Sequence, residues 1–237
     1  MRDILYFGDI NSYKYQMYIT GAGVYETPAR RFNTVNIRGR NGALILEDDV
    51  MATYDNVDIR YPAVIFEDFR VNVKSALSDF SSMVGYHELS DTLEPDRFRM
   101  GVFKQIQKFR VSTRRDIGSF ELVFNCKPQW YLREGQNPIN ILSNTELINP
   151  TMHYSLPIIT VYGNGTVRIN NYIITVANNA NNYVVVDCET ETEFTGSTSR
   201  SSDVTLHAGK YPRLGPGINN ITIDGVTVDI TPRWYEV

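Results

Sequence analysis

The stretch Gly118 to Leu132, GSFELVFNCKPQWYL, constrains the fold more than any other in this chain. Phe120, Leu122 and Phe124 alternate with Glu121, Val123 and Asn125, a period-two pattern that demands a strand with one apolar face. Pro128 has no N–H to donate and ends the ladder. The stretch also sits at a change of composition and closes the first of two strand-rich units. Residues 1–149 carry 18 basic and 19 acidic groups, whereas residues 150–237 carry 5 and 8, so the first unit is charge-dense and balanced and the second is sparsely charged.

With 237 residues and 42% hydrophobic content, the chain is long enough to bury one or two cores. The 15 Tyr and 11 Phe suit strands whose side chains fill broad interfaces. No apolar run approaches the roughly 18 residues of a membrane span, and Met1 to Tyr6 does not lead into a signal sequence. A soluble product made in a cytoplasm is expected. The net charge of −4 gives no global attraction to a polyanion such as DNA. Cys126 and Cys188 fall in different units and are expected to be reduced core residues.

In the first unit, Phe32, Val35 and Ile37 precede a Gly39-Arg-Asn-Gly42 turn. Ile59, Tyr61, Ala63 and Ile65 then mark a strand in which Pro62 predicts an edge or a bulge. One helix is predicted over Asp68 to Val84, where Phe69, Val73, Leu77, Phe80 and Val84 recur at helical spacing and Gly85 offers a stop. The second unit is almost free of helix signals. Ile158, Thr160 and Tyr162 lead into Gly163-Asn-Gly165, read as a tight turn, and strands follow at Val167 to Val176 and Val184 to Cys188. Thr195 to Asp203 reads as a polar, mobile loop, Leu214 to Ile218 as a turn, and Ile221 to Ile230 as a hairpin through Asp224-Gly225. Short strands at regular spacing argue for a β-sandwich.

Chemistry is sparse. His87, His153 and His207 are isolated and lack partners at metal-ligand spacing, and Glu47-Asp48-Asp49 lacks the ligand pattern of a calcium loop. Asp187, Glu189, Glu191 and Glu193 would share one face of a strand, but as a solvated charge run rather than a catalytic pair. The basic cluster Arg97, Arg99, Lys104, Lys108, Arg110, Arg114 and Arg115, with Phe98, Phe103, Phe109 and Tyr86, suggests a single-strand groove. Neighbouring Glu88, Asp91, Glu94, Asp96 and Asp116 neutralise it, which fits paired charges at subunit contacts or a channel lining better. No nucleophile, acid and base set converges, so no enzyme and no cofactor is expected.

Several runs, in this order and spacing, resemble the distal tail proteins, structural components at the tail tip of long-tailed phages that infect Gram-positive bacteria. They are Ile37 to Leu44, Tyr54 to Ile59, Tyr86 to Thr92, Glu94 to Arg99, Phe124 to Trp130, Asn149 to Thr151, Pro157 to Gly165, Leu214 to Ile218 and Pro232 to Tyr235. The resemblance implies a mainly β chain: a ring-forming β-sandwich with one amphipathic helix over 1–135, a linker or boundary strand over 136–148, and a galectin- or carbohydrate-binding-module-like β-sandwich over 149–237. It further implies a homohexameric ring between the major tail tube protein and the tail-tip or tail-associated lysin protein, with receptor-binding proteins on the outer domain. DNA would pass only in transit, without membrane contact, and the ring would be assembled in the host cytoplasm into the virion tail tip. The alternative is a carbohydrate-binding module that stacks host cell-wall saccharide on an aromatic such as Tyr154, Tyr211, Trp234 or Tyr235; Trp234 is expected instead to cap its own core.

Overall fold

A computed structural model describes residues 2–21, 26–46, 51–112, 116–177 and 182–237. Glu47-Asp48-Asp49, Arg114 and Arg115 therefore lie outside the described residues. The fold is mainly β and divides into two compact units, residues 1–130 with Val237, and residues 131–236.

In the first unit the strands are β1 (Leu5–Phe7), β2 (Ile10–Asn11), β3 (Met17–Ile19), β4 (Arg30–Arg31), β5 (Asn33–Asn36), β6 (Ala43–Leu46), β7 (Thr53–Tyr54), β8 (Val57–Ile65), β9 (His87–Asp91), β10 (Arg97–Ser112) and β11 (Ile117–Cys126). Antiparallel pairing gives a sheet of order β2-β1-β9-β10-β11-β8-β3. A bridge between Asp3, just before β1, and Ile19 of β3, with the Ile19 N–H donating to the Asp3 carbonyl at 3.0 Å, closes the sheet from β1 to β3 and leaves only two-residue β2 outside. The sheet thus curls around its core rather than lying open.

The alternation in β11 is realised: Phe120, Leu122 and Phe124 enter the core. Val123 on the opposite face is buried as well. Gly118 at the start of β11 makes room for the helix, since a Cβ there would sit 2.1 Å from the Phe69 ring. β8 alternates buried and half-buried residues along its whole length and pairs with β11 from Val57 to Ile65. Pro62 is thus paired with Glu121 on the β11 side, while on the other side the β3 register stops at Ala63, so it sits where β8 becomes an edge, as its sequence predicts. Its carbonyl accepts from the Thr20 N–H at 2.9 Å on the β3 side. Because N–H and C=O of a strand residue point the same way, the missing donor faces the end of short β3 and spares the β11 ladder.

The helix α1 (Phe69–Ser82) is the only α-helix among the described residues and ends one turn before Gly85. Phe69, Val73, Ala76 and Phe80 are its buried positions, with Leu77 half-buried. Val84 lies beyond the helix and is exposed, contrary to the predicted stripe. Phe80 is the hub of the core, with ring centroids 5.9 Å from Phe7, 5.4 Å from Phe103 and 6.0 Å from Phe124.

The second unit continues with β12 (Trp130–Leu132), β13 (Ile139–Ile141), β14 (Thr145–Asn149), β15 (Ile158–Ile169), β16 (Tyr172–Val176), β17 (Tyr183–Asp187), β18 (Thr192–Thr195), β19 (Thr198–Ser199), β20 (Val204–Leu206), β21 (Gly217–Thr231) and β22 (Tyr235–Glu236). β15 and β21, the two longest strands here, pair along their length and share one irregularity between Gly163 and Thr166. Before it, β15 joins the row β13-β21-β15-β17-β18-β19; after it, β15 pairs with β16, and β21 with β14. One pair of strands therefore turns a corner and serves two rows, the way strands switch layers in a sandwich.

Gly163-Asn-Gly165 and Asp224-Gly225 are the two sides of that corner, not the tight turn and hairpin their sequences predict. The reversal after β15 lies at Asn170-Asn171, where Asn170 adopts φ 52°. Residues 136–148 hold β13 and β14, both paired with β21. The Leu214 to Ile218 turn forms as expected, organised by the fully buried Asn219. Its amide donates to the carbonyls of Leu147, Gly215 and Gly217, and its Oδ1 accepts from the Gly215 N–H at 2.8 Å. Thr195 to Asp203, expected as a loop, contains the β18–β19 hairpin and an Arg200–Asp203 ion pair at 3.5 Å.

Candidate functional site

The residues that carried the resemblance around Asp91 are a turn device. Asp91 Oδ1 accepts from the N–H groups of Leu93 and Glu94 at 2.8 and 3.0 Å, and its Oδ2 accepts from the Tyr61 hydroxyl at 3.0 Å. This fixes the reversal from β9 into β10. Arg99, nearly buried, donates to the Pro128 carbonyl at 3.0 Å and lies 4.8 Å from the centre of the Trp130 ring, with Arg97 at 5.5 Å from the same ring.

Two lysines of the basic cluster are paired along β10. Lys104 meets Asp58 at 2.6 Å and Lys108 meets Glu121 at 2.8 Å. For these two lysines the neutralising carboxylates come from β8 and β11, brought close by the fold. Asn125 and Lys104, both hydrogen-bonded to Asp58, lower its pKa. Phe109 and Val111 at the far end of β10 are exposed, beyond a bulge at which Lys108 adopts φ 50°.

The carboxylates from Asp187 to Glu193 do not share a strand face. β17 ends at Asp187, residues 188–191 turn, and β18 returns with Asp187 opposite Thr192. Asp187 is gripped by a two-pronged Arg233 contact at 2.7 and 3.0 Å. Burial pushes the Asp187 carboxyl up, but Arg233 and the N–H groups of Glu189 and Thr190 outweigh it and leave the pKa lowered. Glu193 instead accepts from the Tyr211 hydroxyl at 2.5 Å. Among the described residues no three His, Cys, Asp or Glu gather to hold a metal. The histidines serve local packing: His87 edges onto Phe7, His153 stacks on Tyr235, and His207 Nε2 lies 3.2 Å from Thr175 Oγ1.

Of the four aromatic candidates, Trp234 is 8% exposed and belongs to the second core. Tyr211 is half-buried against that core, Tyr154 is half-buried beside Gly215, and Tyr235 lies between Tyr131 and His153. Trp234 and Tyr235 are consecutive at the start of β22, and each of the four packs against a different set of neighbours. Two surfaces of more promise were not singled out from the sequence. One is the hairpin β5–β6, where Phe32, Val35, Ile37, Leu44, Ile45 and Leu46 are all 38% exposed or more. The other is the outward side of β15 and β21, where Tyr162 hydrogen-bonds Asp229 at 2.9 Å. The alternation of apolar residues was the available signal for both; in the hairpin it runs on both faces, which no self-contained strand pair can bury.

No family model matches this sequence, and no curated protein matches it. Solved structures do. SPP1 Dit, from work describing it as a paradigm of the hub adsorption apparatus in Gram-positive infecting phages, aligns over 97% of this chain and 98% of its own, with TM-score 0.71 and 12% identity. The chain has the distal tail protein fold. A chain of the phage P2 baseplate in its activated conformation with Ca shares this Dit fold over 97% of the present chain and 98% of its own, at TM-score 0.51 and 10% identity. The same baseplate with Sr gives 0.50, 9% identity and 97% coverage of both chains. The Dit likeness therefore takes in both β units and the helix between strands β8 and β9, which is why the sequence order of short motifs, and no single motif, carried the resemblance.

Proposed function

We propose that this chain is a structural component of a phage tail tip whose first unit assembles head to tail into a six-membered ring. The ring connects the tail tube to the tail-tip or tail-associated lysin protein and lets DNA through its bore, and the second unit anchors host-adhesion proteins. The full-length likeness to a hub protein of a phage adsorption apparatus carries this reading.

The hairpin β5–β6 supports it. Two strands alone are marginal in water, and an apolar patch that large on both faces calls for a covering surface. A neighbouring copy of the same chain covers it in a closed ring without leaving a growing end. The cross-strand charge pairs on β10 support it too, since a bore lined by neutralised cations does not hold passing DNA.

Light scattering coupled to size exclusion tests the ring, with electron micrographs of the same sample. Six copies of the 27.1 kDa chain give a particle of about 163 kDa with sixfold symmetry. A monomer at every concentration, together with failure to enter virions, overturns the proposal.

A further inference from the structure

The chain holds two Asn-Gly pairs, Asn41-Gly42 and Asn164-Gly165, and the fold treats them in opposite ways. An asparagine before a glycine can close on itself. The glycine nitrogen attacks the Asn Cγ, a five-membered succinimide forms, and the side-chain nitrogen leaves as ammonia, carrying away the proton that the glycine amide gave up. Water then opens either carbonyl of the ring. One opening leaves aspartate and the other leaves isoaspartate, which carries an extra carbon in the main chain. Glycine favours the closure because no Cβ shields its nitrogen.

Asn41 has the freedom this requires. The last ladder pair of the hairpin β5–β6 is Asn36 with Ala43, so residues 37–42 lie beyond the strands. All residues from 29 to 46 are exposed. Gly39 and Gly42 have φ 82° and 78°, and a Cβ at either would meet nothing within 4 Å, which leaves open space for the Asn41 side chain to swing onto the next nitrogen. The bond that shapes the turn, from the Arg40 N–H to the Ile37 carbonyl at 3.2 Å, lies before the reacting pair and does not restrain it. Arg38 and Arg40, both exposed on the same turn, favour the negative charge that builds on the attacking nitrogen.

Asn164 is the internal contrast. It sits in the corner of β15 and β21, where a Cβ on Gly165 would lie 2.1 Å from the Asp224 carbonyl oxygen and a Cβ on Gly225 would lie 3.0 Å from the Asn164 carbonyl oxygen. Gly165 also stands opposite Val176 of β16. Closing a succinimide there turns the Asn164 Cα–C bond and drags Gly165 out of this pairing, so it waits on local opening of the sheet.

We propose that Asn41 is a site of spontaneous covalent modification in the folded chain, converting to aspartate and isoaspartate, while Asn164 is held intact by the corner. The change sets a carboxylate beside Arg40 at the tip of the hairpin, and the isoaspartyl form lengthens that turn by one main-chain carbon. The inference does not rest on the ring, because every reacting atom belongs to one turn of one copy.

Peptide mass spectrometry on the full chain, kept in warm, mildly alkaline buffer, tests it. Enzymatic methylation of isoaspartyl carboxylates is the second readout, and light scattering records the assembly state of the same sample. The peptide containing Asn41 is expected to gain about 1 Da and to become a methyl acceptor, and the peptide containing Asn164 to change at least about tenfold more slowly. In denaturant the two rates are expected to converge. Asn41→Gln removes the methyl acceptor from the folded chain and leaves thermal unfolding unchanged. No gain at Asn41 overturns the proposal, whatever the assembly state. So does conversion of Asn164 at the same rate in the folded chain, or a difference that persists in denaturant and therefore comes from neighbouring residues rather than from the fold.

Discussion

Gly165 faces the Asp224 carbonyl so closely that a Cβ at position 165 would sit 2.1 Å from that oxygen. Backbone meets backbone here, and no flexible side chain can move aside. Gly165→Ala must therefore shift the corner of β15 and β21 and is expected to destabilise the second unit by about 3 kcal/mol or more. Gly196→Ala provides the contrast. Gly196 has φ 60° with open space around it, so the cost is conformational only, about 1 kcal/mol. Thermal unfolding of the two variants separates them.

The pairing of Asp187 with Arg233 gives a pH dependence. The folded-state pKa of Asp187 is lowered, so its stabilisation is present above the unfolded carboxylate value of about 4 and is lost as pH falls through the folded value. Asp187→Asn is expected to cost roughly 2 kcal/mol at neutral pH. The difference in melting temperature between wild type and variant narrows steadily below about pH 4; a constant difference across that range refutes the assignment.

Both thiols are sealed. Burial pushes Cys126 up to about 12 and raises Cys188 further, so neither forms a thiolate near neutrality. An aromatic disulfide reagent at pH 8 is expected to leave the native chain unmodified and to titrate two thiols after denaturation. Rapid native labelling of either one contradicts the packing described.

Phe80→Ala removes the ring on which Phe7, Phe103 and Phe124 converge. The expected loss is about 3–5 kcal/mol in the first unit, read as a lower denaturant midpoint.

Ile45→Asp acts on assembly without acting on the core. Ile45 is 55% exposed, so the unfolding free energy should stay within about 0.5 kcal/mol of wild type. Light scattering should report loss of the proposed ring. A variant that still assembles normally removes the hairpin from the interface.

Period-two alternation was legible wherever one face is buried, as in β8 and β11, and the helix was legible from its apolar stripe. What misled was turn chemistry. Gly163-Asn-Gly165 and Asp224-Gly225 carry the residues of a reversal, yet two such signals lying opposite each other on paired strands allow a bend instead. Each segment alone contains no information about the other. Pro62 signals an edge, but which side of β8 is the edge depends on where β3 stops, a fact of pairing rather than of the Pro62 neighbourhood. The Tyr162 and Asp229 contact is not legible in the sequence because 67 residues separate two side chains that pairing sets side by side.

The Asp3–Ile19 bridge has a consequence for how the first unit comes apart. With β3 held to the segment before β1, only the two-residue β2 is left as a loose edge, so unzipping has almost nowhere to begin. Amide exchange in β1, β3 and the strands between them is then expected to follow one shared opening event, so the first unit stays whole or is lost whole.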